Sequence, residues 1–177
     1  GLSHINISID SIDPEIFRQI TGHDKLNQVL TGLDLALAEG FSAVKVNAVL
    51  LRQTAEAGFE AWADFVRDRP VSVRFIELMK TTDNHDYFAT HHVKAQGLRD
   101  WLDRNGWIAG PRAVDAGPAL EYRHPDYAGS IGLIAPYSPG FCDSCNRLRV
   151  TSRGKLRLCL FGDGGVDLRD LLQDDDD

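Results

Sequence analysis

The sequence predicts an α/β protein in which a parallel sheet of strand–helix units precedes a small antiparallel region. Three observations support this. The first eighty residues alternate between period-2 and helical apolar patterns. Each of three strand segments is apolar on one side only. From Pro111 to Gly140, short extended runs sit between Gly and Pro residues, a meander texture. The change of texture places a boundary near residue 110, giving segments 1–110 and 111–177.

Ile5 to Asp10 alternates and reads as the first strand. Asp13-Pro14-Glu15 starts a helix, because Asp caps, Pro fits the first helical position and Glu favours the dipole. A longer helix carries Leu26, Val29, Leu30, Leu33 and Leu37 on one stripe and stops at Gly40. Ala43 to Leu50 is the second strand. Phe59, Trp62, Ala63 and Val66 mark the face of the next helix, and Val71 to Leu78 is the third strand. Right-handed crossovers then make the strands parallel. Residues 83–110 read as a connection and one amphipathic helix, Val93 to Arg104, stopped by Gly106. Beyond them, Ala119 to Arg123 and Ile131 to Ala135 are extended, and Val166 to Leu172 is helix-like. Three parallel strands leave one open edge, and the chain reads as incomplete.

The strands have polar sides. Asn6, Ser8 and Asp10 share a face, as do Lys45 and Asn47, and Ser72 and Arg74. Parallel strands covered on both faces are usually apolar throughout. These polar faces need water, a ligand or mutual pairing. The expectation is a sheet lining a wet cavity, as in an open or partial barrel with its site at the strand C-termini. Buried hydrogen bonds inside a closed barrel are the alternative.

Composition narrows the function. Apolar residues make up 43% and charged residues 25%, which suits a soluble domain with a real core. No apolar run approaches the roughly 18 residues of a membrane span, and the first residues do not read as a signal peptide. Three cysteines do not make a disulfide scaffold, so a reducing, cytoplasmic setting is expected. The net charge of −7 disfavours nucleic-acid binding. The stretch Asn146 to Gly162 nevertheless holds Arg147, Arg149, Arg153, Lys155 and Arg157 without an acid. This points to a local anion site.

All three cysteines lie in Cys142-x2-Cys145-x13-Cys159. A C-x-x-C turn can present two thiolates to one metal or cluster. Ser152-Arg153-Gly154 fits a three-residue hairpin loop. With Thr151 opposite Lys155, Val150 faces Leu156 and Leu148 faces Leu158. On the other side Arg149 faces Arg157 and Arg147 faces Cys159. A slip of one residue would mix polar with apolar in every pair. Facing arginines repel unless an anion lies between them. Spacing leaves two centres open: a [4Fe–4S] cluster with one iron unligated by protein, or zinc that recruits a fourth ligand such as His124. His91-His92 is expected at the surface, and Trp62, Trp101 and Trp107 in the core. Gly162-Asp163-Gly164-Gly165 is a turn that lacks the Lys-Ser/Thr of a phosphate-binding loop.

The run Phe141-Cys142-Asp143-Ser144-Cys145-Asn146-Arg147-Leu148-Arg149-Val150, with Gly154-Lys155-Leu156 and Leu158-Cys159-Leu160-Phe161-Gly162, resembles the molybdenum-cofactor biosynthesis protein A family, the radical-SAM GTP 3′,8-cyclases. Segments from Asn6 to Asp13, Val44 to Asn47, Arg74 to Met79 and His124 to Gly129 resemble it in the same order. The resemblance implies the C-terminal half of an incomplete (β/α)6 TIM-type radical-SAM barrel, followed by a small antiparallel iron–sulfur region. It implies conversion of GTP to (8S)-3′,8-cyclo-7,8-dihydroguanosine 5′-triphosphate in molybdopterin synthesis, using S-adenosylmethionine and two [4Fe–4S] clusters. Carried onto this sequence, Cys142, Cys145 and Cys159 hold the second cluster. Lys45, Arg74, Arg147, Leu148 and Arg149 contact GTP, and Ser8 and Met79 contact S-adenosylmethionine. Leu148 points away from the arginines in the hairpin register, so its contact would be through backbone. A homodimer and a downstream pterin-forming enzyme are the protein partners to expect. The family's first-cluster C-x3-C-x2-C motif and terminal Gly-Gly are not in this sequence, so the chain alone is expected not to start the radical. Gln53-Thr54-Ala55-Glu56 also departs from the family's Gly/Val-x-Asn pattern after Arg52. Two other readings remain: a zinc-stabilised anion-binding module, and another radical-SAM enzyme with an auxiliary cluster.

Overall fold

The computed structural model describes residues 1–111, 117–143, 148–159, 164–169 and 171. The chain forms two compact units, Gly1–Phe141 and Cys142–Asp177. The first unit runs β1 (His4–Ser8), α1 (Pro14–Thr21), α2 (Leu26–Ala38), β2 (Ala43–Leu50), α3 (Arg52–Glu56), α4 (Glu60–Arg67) and β3 (Ser72–Glu77). It continues with α5 (His85–His91), α6 (Gln96–Arg104), β4 (Ile108–Ala109), β5 (Leu120–Arg123) and β6 (Ser130–Ile134).

Local chemistry accounts for the early elements. The Asp13 carboxylate accepts from the Ile16 N–H at 2.9 Å and caps α1, with Pro14 just inside. Gly22 ends that helix in the left-handed region, φ 73°, and its N–H donates to the Arg18 carbonyl. The short helix α3 occupies the segment that departs from the family pattern. A further helix, α5, lies where only a connection was expected.

The strand order is β1-β2-β3-β6-β5-β4. Strands β1, β2, β3 and β6 are parallel, whereas β5 and β4 return antiparallel. The sheet is therefore mixed. Strand β6 pairs along β3, and among the described residues β1 remains at one edge of the sheet. Ser130, Ile131, Gly132 and Leu133 are all buried, as a strand flanked on both sides requires.

Period 2 separates the two faces of this sheet. Val44, Val46, Ala48 and Leu50 of β2 are buried, as are Val73 and Phe75 of β3. They join one core with Leu33 of α2, Trp62 and Val66 of α4, and Leu98 and Leu102 of α6. Phe75 anchors it. Its ring meets Trp62 and Phe59 edge-on, with centroids 5.3 Å and 5.7 Å away. Trp62 and Trp107 are buried as expected, and Trp101 packs at the core's margin.

The second unit holds β7 (Arg149–Val150), β8 (Lys155–Arg157) and β9 (Val166–Asp167) as an antiparallel sheet. The β7–β8 register matches the expectation, with Arg149 opposite Arg157 and Val150 opposite Leu156. Gly154 supplies the left-handed residue, φ 72°, and the Thr151 N–H donates to the Lys155 carbonyl. The helix expected from Val166 is not formed at its start. Val166 and Asp167 instead pair with Leu156 and Lys155. A partner strand supplies what the local pattern does not encode, and Gly165 permits the approach. A Cβ there would lie 2.8 Å from the Leu156 carbonyl oxygen. Among the described residues, no helix is long and apolar enough to cross a membrane.

Phe75→Ala is expected to destabilise the first unit by about 3–5 kcal/mol, whereas exposed Asn6→Ala should change stability by less than ~0.5 kcal/mol. Denaturant midpoints of the two variants check this contrast.

Candidate functional site

The helix-free side of the sheet carries two rows of side chains set by the strand register. One row runs Asn6, Lys45, Ser72 and Ser130 across β1, β2, β3 and β6. The next runs Ser8, Asn47, Arg74, Gly132 and Glu121 across β1, β2, β3, β6 and β5. The polar faces read from the sequence thus become one surface. Met79 follows β3 just beyond its last residue, and its carbonyl accepts from the Asn84 side-chain amide at 2.9 Å.

Glu121 was not anticipated as part of this surface. One of its carboxylate oxygens accepts from Ser72 Oγ at 2.7 Å and Ser130 Oγ at 3.0 Å. The other accepts from Arg74 Nε at 2.9 Å. Mutual pairing therefore satisfies part of the polar face. The alternation Leu120-Glu121-Tyr122-Arg123 placed Glu121 on one side of a strand. Only the pairing of β5 with β6 brings it to Arg74.

Gly132 makes that contact possible. It stands between Arg74 and Glu121 in register and offers no side chain. A Cβ there would lie 3.0 Å from Arg74 Cγ and 3.2 Å from Glu121 Oε1.

Beside this network is a cavity of about 320 Å³, lined by Lys45, Ser72, Arg74, Glu121, Arg123 and Ser130 among others. Its rim includes Ser42, Ala43, Pro70 and Val71, which precede or begin β2 and β3. The concavity at Lys45 and Arg74 is thus lined in part by residues at the strand N-termini. Its cations outnumber its single acid. Burial and the nearby Arg74 guanidinium lower the Lys45 pKa, and Glu121 partly offsets the shift.

At the other end of β3, Glu77 is buried and pairs with His92 Nε2 at 2.9 Å. His92 stacks on Phe88 at 4.3 Å, and His91 Nδ1 lies 3.1 Å from Gln53 Oε1. Both histidines are half-buried and engaged, not freely exposed. Sequence spacing concealed the partners because they come from β3 and α3. His124, the histidine considered for zinc, is also engaged. Its Nδ1 accepts from the Asp126 N–H at 3.2 Å, and its ring packs on Trp107 and Tyr127.

In the second unit, Cys142 and Cys159 are both exposed. Cys145 and Arg147 lie outside the described residues. Exposed Arg149 sits opposite Arg157, whose Nε is shielded from solvent without a hydrogen-bond partner among the described residues. Leu148 is 63% exposed. The hairpin thus juxtaposes two guanidinium-bearing residues where an anion would relieve their repulsion. Among the described residues no group of three metal-ligating side chains is assembled.

Residues 71–177 match the family Molybdenum Cofactor Synthesis C. The chain is 58% identical over 177 residues to a GTP 3′,8-cyclase of Stenotrophomonas maltophilia strain R551-3, covering 100% of this chain and 54% of that protein. It is 51% identical over 176 residues to a GTP 3′,8-cyclase of Actinobacillus succinogenes, covering 99% and 52%. A GTP 3′,8-cyclase of Vibrio atlanticus is 51% identical over 175 residues, covering 99% and 52%. The chain therefore spans about half the length of the curated relatives it matches. It belongs to the Molybdenum Cofactor Synthesis C family.

Gly132→Val should drive Arg74 and Glu121 apart and cost about 1–3 kcal/mol through overpacking. An unchanged denaturant midpoint would contradict the close approach described for this residue.

Proposed function

We propose that this family member carries the GTP-binding and second-cluster part of a GTP 3′,8-cyclase, a radical-SAM lyase of molybdenum cofactor biosynthesis. The observation that carries the reading is 58% identity across the whole chain to a protein of that name. The parallel order β1-β2-β3-β6 supports reading this sheet as the C-terminal part of an incomplete (β/α)6 barrel. In this reading residues 1–110 supply barrel strands together with Lys45 and Arg74, and residues 111–177 add β6 and the remaining substrate and cluster groups. The product passes to a pterin-forming enzyme.

Lys45 and Arg74 bind the GTP triphosphate from the polar sheet face. A guanidinium offers paired N–H donors to phosphate, and a partly desolvated ammonium attracts an anion more strongly than one in water. Arg147, the Leu148 backbone and Arg149 are the further GTP contacts that the family resemblance implies. Ser8 and Met79 hold S-adenosylmethionine.

The donor set fits an iron–sulfur cluster. Cysteine thiolates are its usual ligands, Cys142 and Cys159 are exposed to receive one, and the Arg149–Arg157 juxtaposition favours negative charge nearby. Cys142, Cys145 and Cys159 would hold a [4Fe–4S] cluster whose remaining iron is available to the guanine. The engagement of His124 with Asp126 and Trp107 weakens the zinc alternative.

Anaerobic reconstitution should incorporate about four irons and four sulfides, and Cys159→Ala should abolish the uptake. Stoichiometric zinc with no iron uptake would contradict the cluster assignment. In equilibrium titrations, Lys45→Ala and Arg74→Ala should each weaken GTP binding roughly 10- to 100-fold, the loss of a hydrogen bond between charged groups.

The pH dependence has a definite sign. Bound GTP favours the charged ammonium and so raises the Lys45 pKa above its ligand-free value. Affinity is full below the ligand-free pKa and falls as pH rises past it. Burial and Arg74 lower that pKa, so the fall should begin below the ordinary lysine range. Lys45→Arg should flatten this part of the profile.

A further inference from the structure

Among the described residues, Arg74 engages one edge of its guanidinium. Its Nε–H donates to Glu121. Among the described residues, none accepts from Nη1 or Nη2. The side chain is 15% exposed and that of Glu121 29% exposed. Glu121 is itself fixed by two hydroxyl donors, Ser72 of β3 and Ser130 of β6. The empty position at Gly132 lets the two side chains meet across β6.

From this geometry we infer that Glu121 is a positioning residue: it holds Arg74 by its Nε edge and leaves the paired Nη edge for a phosphate of the nucleotide. The inference rests on the proposed role of Lys45 and Arg74 in GTP binding. A long arginine side chain loses rotamer freedom on binding, and a tether lowers that loss beforehand. Glu121 also has an opposing effect. Its negative charge offsets Lys45 and Arg74 and so repels a polyanion. Tethering outweighs repulsion here because the carboxylate charge is already spread over three donors, whereas an untethered Arg74 must be ordered anew with each binding event.

Three variants separate these effects in GTP titrations of the purified chain. Glu121→Gln keeps an amide oxygen that can accept from Arg74 Nε but removes the charge. Glu121→Ala removes both. Tethering predicts that Glu121→Ala weakens GTP binding about 3- to 10-fold, the cost of ordering one long side chain. Glu121→Gln should bind at least as tightly as the unaltered chain. In an Arg74→Ala background, Glu121→Ala should cause no further loss of GTP affinity, and relief of repulsion at Lys45 can only tighten it. A merely structural role would add its loss in that background as well. Tighter binding by both Glu121 variants, no change in Glu121→Ala, or an additive double variant would each overturn the inference. If Arg74→Ala and Lys45→Ala by themselves leave GTP affinity unchanged, the underlying GTP reading fails as well, and the two failures are thereby told apart.

Discussion

Helix side chains cover one face of the six-stranded sheet, and the other face must satisfy its own polar groups. This constraint organises the first unit. Alternation places Val46, Val73 and Phe75 under the helices and leaves Lys45, Asn47, Ser72 and Arg74 on the opposite side. A sheet covered on both faces would have to bury those groups unpaired, at a cost of about 1–3 kcal/mol for each lost partner. Glu121 resolves part of the problem internally by accepting from Ser72, Ser130 and Arg74. Lys45 and the Nη edge of Arg74 remain available to a ligand. The features that stabilise the sheet thus also define what it can bind.

The second unit follows a related logic with less core. Its hairpin register places Arg149 against Arg157, and Val150 against Leu156. The arginine pair opposes hairpin formation unless an anion is near. A cysteine-held cluster and a nucleotide are both anionic. In the proposed function, either would relieve that repulsion.

Much of the fold was legible because local patterns carried it. The Asp13 cap, the Ala43–Leu50 strand and the β7–β8 register depend on neighbours close in sequence. The misreadings involve distant partners. Strand β6 joins β3 in parallel across more than fifty residues, and nothing in Ile131 to Ala135 specifies that neighbour. Val166 pairs with Leu156 because a strand edge is available, although its local pattern also suits a helix. The site divides in the same way. Lys45 and Arg74 were visible as charges at alternating positions. Glu121 and the Glu77–His92 pair needed the fold to bring their partners together.

A structure of the protein with GTP bound tests the central claim most directly. The account predicts triphosphate oxygens within hydrogen-bonding distance of Lys45 Nζ and of Arg74 Nη1 or Nη2, with Arg74 Nε still on Glu121. A triphosphate held elsewhere, with Lys45 and Arg74 facing only water, would contradict it.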